Sequence, residues 1–397
     1  MASKDEMELD TEEVEEKIER TFPNMDLAQS VWKLECEGVD IEAVKETVLT
    51  AIKEDKMVPF YEIVCQKFGW MVDDALLTEM KTANAAELES LQAALKNNEE
   101  NEGETEVLDS LFAISKFHAR IGAKTETYDA NEAIIVLPKV TSGKKIDATM
   151  AKARMALFYM DQEVAAAQIE AAKHLAKDGG DWDRRNRLKC YEAILLMMQR
   201  DFKTAAALLL DGIATFTCVE LCSYETFVYY AVSTNMLFLD RPSMKKKLVD
   251  GPEVLGLIGG LPPLAPMLNG LYDCEYAAFF ACLGDMNDTL LLDRYLAKHA
   301  RYLVREFRIL VYKQFLESYK SVMVGTMAQA FGVSSGFLDS ELSRFIASGR
   351  LSAKIDKVGG KVETNPPDER NSQYQTVIKK GDFLLTSIQK LARVIDA

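Results

Sequence analysis

The sequence predicts a mainly α-helical protein: a solenoid of paired helices, then a winged helix, then one C-terminal amphipathic helix. Three observations lead there. Apolar residues recur with a 3.6-residue period through most of the chain. Three segments between 106 and 217 superpose as helix, short turn, helix, with turns at Gly122, Asp161 and Arg200 and a spacing of 39 residues each time. Between 321 and 365 the pattern changes to helix, turn, helix and then alternating apolar and polar residues.

Composition bounds the function. The 397 residues, 48% of them apolar, allow two or three domains and a sizeable core. Against 47 Lys and Arg stand 62 Asp and Glu, a net charge of −15 that argues against a polyanion as the main partner. The first 20 residues hold nine carboxylates and three cations, unlike a signal peptide or presequence, and no run of 18 apolar residues exists to span a bilayer. A soluble intracellular chain with no membrane partner is expected. The seven cysteines, at 36, 65, 190, 218, 222, 274 and 282, form no C-x-x-C pair and read as free thiols. Cys218 and Cys222 lack the second ligand pair that a closed zinc site needs.

In order along the chain, residues 1–25 form an acidic N-terminus and 26–105 a helical region anchored by aromatics in VWKLECEG and MVPFYEIVCQKFGW. The polar run KNNEENEGETE, 96–106, reads as an exposed turn. The repeats occupy 106–310. Their period, and small residues such as Ala166 and Ala205 at the helix crossings, are tetratricopeptide-like. Met155, Met160, Met197 and Met198 read as core filling, not as a metal or haem site. The glycines and prolines of GGLPPLAPMLNGLYDCEYAAFF mark an irregular corner before a further helix.

Residues 311–366 contain the winged helix. The helix TMAQAFG leads to a turn at Gly332–Ser335, with Ser335 as N-cap, and the next helix carries Leu338, Leu342, Phe345 and Ile346 on one face. After Gly349, Leu351, Ala353 and Ile355 alternate with polar residues, Gly359-Gly360 supplies a hairpin turn, and KVETN returns. GVSSG also matches the nucleophile elbow G-x-S-x-G, but that motif needs a strand before the serine and a histidine after it. Here a helix precedes Ser334, and His118, His174 and His299 all come earlier. Nor does the helix suit base reading: its outward residues are Asp339, Ser340, Glu341, Ser343 and Arg344, and only Lys354, Lys357 and Lys361 of the wing favour phosphate. Protein contact through the wing, with Leu351 and Ile355 as interface residues, is the expected use.

The last segment, 367–397, is a proline-marked linker and an amphipathic helix. Val377, Gly381, Leu384, Ile388, Leu391 and Ile395 recur at spacings of four and three, widened by Tyr374, Ile378, Leu385 and Ala392. Such a stripe is expected to join helices of other chains.

Helical repeats leading into a winged helix and a terminal helix are the arrangement of the PCI domain. GGDWDRRNRLK, RDFKTAAALLLD, FGVSSGFLDSELSRFIASGRLSAKIDKV, VETNPPD and YQTVIKKGD closely resemble the PCI-domain subunits of the 26S proteasome lid. The resemblance implies a non-catalytic scaffold of the cytoplasm and nucleus, without cofactor or metal. It implies hetero-oligomeric assembly with other PCI subunits, the lid deubiquitinase and the ATPase ring. A PCI subunit of the COP9 signalosome, or a winged-helix nucleic-acid binder, is the alternative. The chain itself lacks the His-x-His pair of the deubiquitinase, and SGKK at 142–145 lacks P-loop spacing. Within GGDWDRRNRLK two readings stand: Arg184, Arg185 and Arg187 meet a partner's acidic surface, or they form local ion pairs while Asp181 or Asp183 caps a helix and Trp182 packs between repeats.

Overall fold

The computed structural model describes residues 20–101, 103–364 and 369–395. The chain forms two compact units, Met1–Leu264 with Met286–Ala300, and Ala265–Asp285 with Arg301–Ala397.

The first unit is entirely helical among its described residues. It opens with α1 (Met25–Lys33), α2 (Ile41–Glu54), α3 (Val58–Phe68) and α4 (Asp74–Asn101). Three hairpins follow: α5 (Glu104–Ile121) with α6 (Lys124–Val136), α7 (Ser142–Phe158) with α8 (Gln162–Gly179), and α9 (Trp182–Met198) with α10 (Phe202–Gly212). Then come α11 (Tyr224–Phe238), α12 (Arg241–Met244), which runs on as a π-helical turn over Lys245–Val249, and α13 (Pro252–Ile258). Residues 286–300 also belong here: Gln29 Nε2 donates to the Leu292 carbonyl at 3.0 Å, and Tyr230 OH donates to Asp293.

The polar run at 96–106 is not an open turn. Lys96–Asn101 are the last turns of α4, and α5 begins at Glu104, so Gly103 is the single break among the described residues of the run. Lys, Asn and Glu are all compatible with helix, and Asn98 Nδ2 donates across the hairpin to Ser110 Oγ at 2.8 Å.

Each repeat turn uses a left-handed residue: Gly122 (φ +77°), Met160 (+58°) and Arg200 (+69°). Asp161 is therefore the cap after the turn, accepting from Val164 N–H at 3.4 Å, as Asp201 does from Thr204. Met160, placed at the turn, is only half-buried, whereas Met155, Met197 and Met198 lie in the core. Ala205 is fully buried as expected, but Ala165 rather than Ala166 takes the equivalent place in α8. Bonds that join the first hairpin to the second include Tyr159 OH donating to Gly122 O at 2.6 Å, Lys124 Nζ meeting Asp161 at 2.8 Å, Lys144 Nζ meeting Asp109 at 3.0 Å, and Lys152 meeting Glu132.

The second unit comprises α14 (Leu264–Asp273), most of α15 (Tyr276–Leu292), α16 (Ala300–Glu317), β1 (Ser321–Met323), α17 (Val324–Phe331), α18 (Ser335–Ala347), β2 (Ala353–Asp356), β3 (Lys361–Thr364) and α19 (Glu369–Ile395). Phe331, at the end of α17 and fully buried, has Tyr276, Phe280, Tyr312 and Phe315 around it at centroid distances of 5.0 to 5.3 Å. The wing gains a third strand. SVM pairs antiparallel with β3, giving the order β1-β3-β2, with Val322 and Ile355 both opposite the buried Val362. Three residues, Ser321, Val322 and Met323, followed directly by a helix are too short a run for a period-2 pattern.

A Cβ at Gly122 would sit 3.1 Å from Phe60 Cβ on a backbone that L-residues avoid. Gly122→Val should therefore cost about 1–3 kcal/mol in denaturant unfolding, with loss of cooperativity centred on the first two hairpins.

Candidate partner interfaces

Among the described residues, no three His, Cys, Asp or Glu side chains gather as metal ligands, and no helix is long and apolar enough to cross a membrane. The surfaces named from sequence can be followed one by one.

Ser334 lies in the turn of the winged helix. Gly332 takes the left-handed conformation (φ +65°) that closes α17, and Ser334, not Ser335, is the N-cap of α18: its Oγ accepts from Phe337 N–H at 3.3 Å. Ser335 is already the first helical residue. The hydroxyl is thus committed to a backbone donor at a helix start.

The outward face of α18 is smaller than its sequence suggests. Glu341 is buried, accepting from Tyr312 OH at 2.9 Å and facing Arg308 at 2.5 Å. Its place on the Leu338, Leu342, Phe345 face explains this, because i and i+3 share one side of a helix with i+4. Ile346 is only half-buried. Lys357 of the wing pairs with Asp339 of α18 at 3.3 Å, so this cation faces a carboxylate of its own unit. Leu351 and Ala353 are buried and seat the wing, while Ile355 is half-buried on the edge strand β2.

The arginines of α9 divide. Asp181 caps the helix by accepting from Trp182 N–H at 2.7 Å. Arg184 makes a two-pronged pair with Asp147 at 2.8–3.2 Å, and Arg187 reaches Glu220 at 2.5 Å. Arg185 is exposed. Trp182 is 61% exposed rather than packed between repeats. The hub of this cluster, Glu220, is absent from the sequence-based candidates. It is buried and receives Arg154 at 2.7 Å, Arg187, and Tyr191 OH at 2.5 Å. Burial pushes its carboxyl up, but Arg154 and Arg187 pull harder and hold it below its ordinary range. A single carboxylate inside TCVELC, opposite an arginine-rich helix, was the available signal.

The stripe on α19 finds no cover. Val377, Leu384, Ile388 and Leu391 are 54–67% exposed, and Tyr374, Ile378, Phe383 and Leu385 are exposed beside them. Ile395 is the last residue of the helix.

Three family descriptions match the chain: "26S proteasome subunit RPN7" over 73–247, "PCI domain" over 283–366, and "26S proteasome regulatory subunit RPN7/PSMD6 C-terminal helix" over 373–395. The chain is 46% identical over 377 residues to the 26S proteasome non-ATPase regulatory subunit 6 homolog of Arabidopsis thaliana, covering 94% of this chain and 97% of that one. The chain belongs to the RPN7/PSMD6 family. It is also 40% identical over 383 residues to the 26S proteasome non-ATPase regulatory subunit 6 of Dictyostelium discoideum, covering 96% of this chain and 100% of the other. With the 26S proteasome regulatory subunit RPN7 of Saccharomyces cerevisiae it shares 36% over 421 residues, 98% of both chains. None of these three carries a COP9 signalosome name, and nothing here favours that alternative. The RPN7 match contains the arginine cluster, the PCI match the winged helix, and the C-terminal match the exposed stripe.

Ser334→Ala should lower stability by about 0.5–2 kcal/mol as a lost cap, and a fluorophosphonate probe should leave Ser334 of the folded wild-type chain unlabelled. Glu220→Ala, which strands two arginines, should cost about 3–5 kcal/mol by chemical denaturation. The sign with pH follows from the depressed carboxyl: its contribution is present above the ordinary value of 4.5 and is lost as pH falls through the folded value. Glu220→Gln should therefore flatten the stability curve below pH 4.5.

Proposed function

We propose that the chain is a non-catalytic structural subunit of the 26S proteasome regulatory-particle lid, assembling with other PCI subunits in support of ubiquitin-dependent protein degradation in the cytoplasm and nucleus. The observation that carries the reading is the uncovered apolar stripe of α19 on a member of the RPN7/PSMD6 family. A stripe of this size on a soluble chain marks a surface that another protein covers. Its four-three spacing fits packing against further helices. The sheet offers a second contact, since β1 and β2 each leave one edge open to strand addition. Contacts with the lid deubiquitinase and the ATPase ring belong to the same proposal. They would draw on Arg185 and Trp182, two of the residues of GGDWDRRNRLK that face solvent.

The stripe can be altered without touching the core. A chain carrying Leu384→Glu and Ile388→Glu should melt like wild type, because exposed substitutions change stability by about 0.5 kcal/mol or less. It should, however, be lost from affinity-purified regulatory particles in quantitative peptide counts. Wild-type stoichiometry of the double variant in those particles would refute the docking role of α19.

A further inference from the structure

Gly381 stands inside α19, a helix of 27 residues, although glycine is the poorest interior helix former apart from proline. Nothing within the chain asks for it. The helix runs through Gly381 without a break, its φ is not left-handed, and a Cβ there would meet nothing within 4 Å. Gly284 of α15 is equally open, but Gly381 differs in its place. Val377, Ile378, Leu384 and Leu385, at i−4, i−3, i+3 and i+4, ring it, and all four are 58–67% exposed. They form the apolar walls of a shallow socket whose floor is main chain, open to solvent in the middle of the uncovered stripe.

The socket has a shape and a sign. A hole bounded by four side chains is what a side chain of a facing helix enters, and with no Cβ on its floor that side chain sits deep and the two axes come close. From 373 to 393 α19 carries Lys379, Lys380, Lys390 and Arg393 against Asp382, four cations to one carboxylate in a chain of net charge −15. None of the four is paired among the described residues. At about 100° per residue, Lys380 borders the stripe beside Leu384, whereas Lys390 lies on the opposite face. A second copy would bring the same excess of cations, and like charges set against each other disfavour that pairing. Resting on the reading of α19 as a docking helix, we propose that Gly381 is where α19 crosses an acidic helix of another subunit, which seats one large apolar side chain in the socket and sets a carboxylate against Lys380.

Competition for assembly tests this. Variant and wild-type chains, coexpressed at equal levels, are counted by peptide mass spectrometry in affinity-purified regulatory particles. Gly381→Leu should fall about tenfold or more below wild type there, because its side chain takes the place of the incoming one, and Gly381→Ala should fall by a smaller factor. Both purified variants should melt no lower than wild type, since each adds a better helix former over open space. Lys380→Glu should also be displaced, and more strongly than Lys390→Glu. Equal competition by Gly381→Leu would overturn the socket; if the Leu384→Glu, Ile388→Glu chain is still excluded, the docking role of α19 stands without it, and if that chain competes equally too, both fall. A lowered melting temperature of Gly381→Leu would mean that this chain fills the socket itself, which also refutes the proposal. Equal competition by Lys380→Glu would remove the acidic partner. Wild-type dimers in sedimentation equilibrium that Gly381→Leu abolishes would assign the socket to a second copy instead.

Discussion

A helix hairpin has one apolar face and cannot bury it alone; everything in the first unit follows from that constraint. Close stacking needs small side chains at the crossings, and Ala165, Ala172 and Ala205 are fully buried there. It also needs the hairpins held in register. Tyr159 OH on Gly122 O, Lys124 on Asp161 and Arg184 on Asp147 each bridge 37 residues, about one repeat, and so reach from one hairpin to the next. Where stacking begins, returning chain supplies the cover: Trp32 Nε1 donates to the Leu291 carbonyl at 3.2 Å, and Arg294 N–H to Gln29 Oε1 at 3.2 Å.

The chain spends many of its cations internally. Arg154 and Arg187 converge on Glu220, Arg184 on Asp147, Arg308 on Glu341, and Lys357 on Asp339. The pairs on the buried carboxylates Glu220 and Glu341 contribute little beyond a hydrophobic alternative, yet removing one partner is severe, so they act as registration pins more than as a source of stability. In the winged helix Glu341 turns inward, and the wing lysine Lys357 meets Asp339 of its own unit.

The architecture was legible because helical repeats and alternating strands write their periods into sequence. The stripe of α19 was legible for the same reason. Other features depend on neighbours far apart in the chain. Helix phase puts Glu341 beside Leu338 and Leu342, but the partners that make a buried carboxylate tolerable there, Arg308 and Tyr312, lie on another helix, while Asp339 faces Lys357 of the wing. Glu220 became visible only once α7 and α9 brought Arg154 and Arg187 to it. One-residue offsets, Ser334 for Ser335, Met160 for Asp161 and Ala165 for Ala166, arise because a turn conformation shifts the cap without altering the period.

The uncovered stripe has a consequence for supply as well as for assembly. Two free copies present each other with the same apolar row, and encounters between them rise with the square of concentration, whereas a complementary helix removes the row from water altogether. The amount of this chain that a solution tolerates is therefore set by the amount of whatever covers α19. A surplus copy is one whose last helix keeps its apolar row in water.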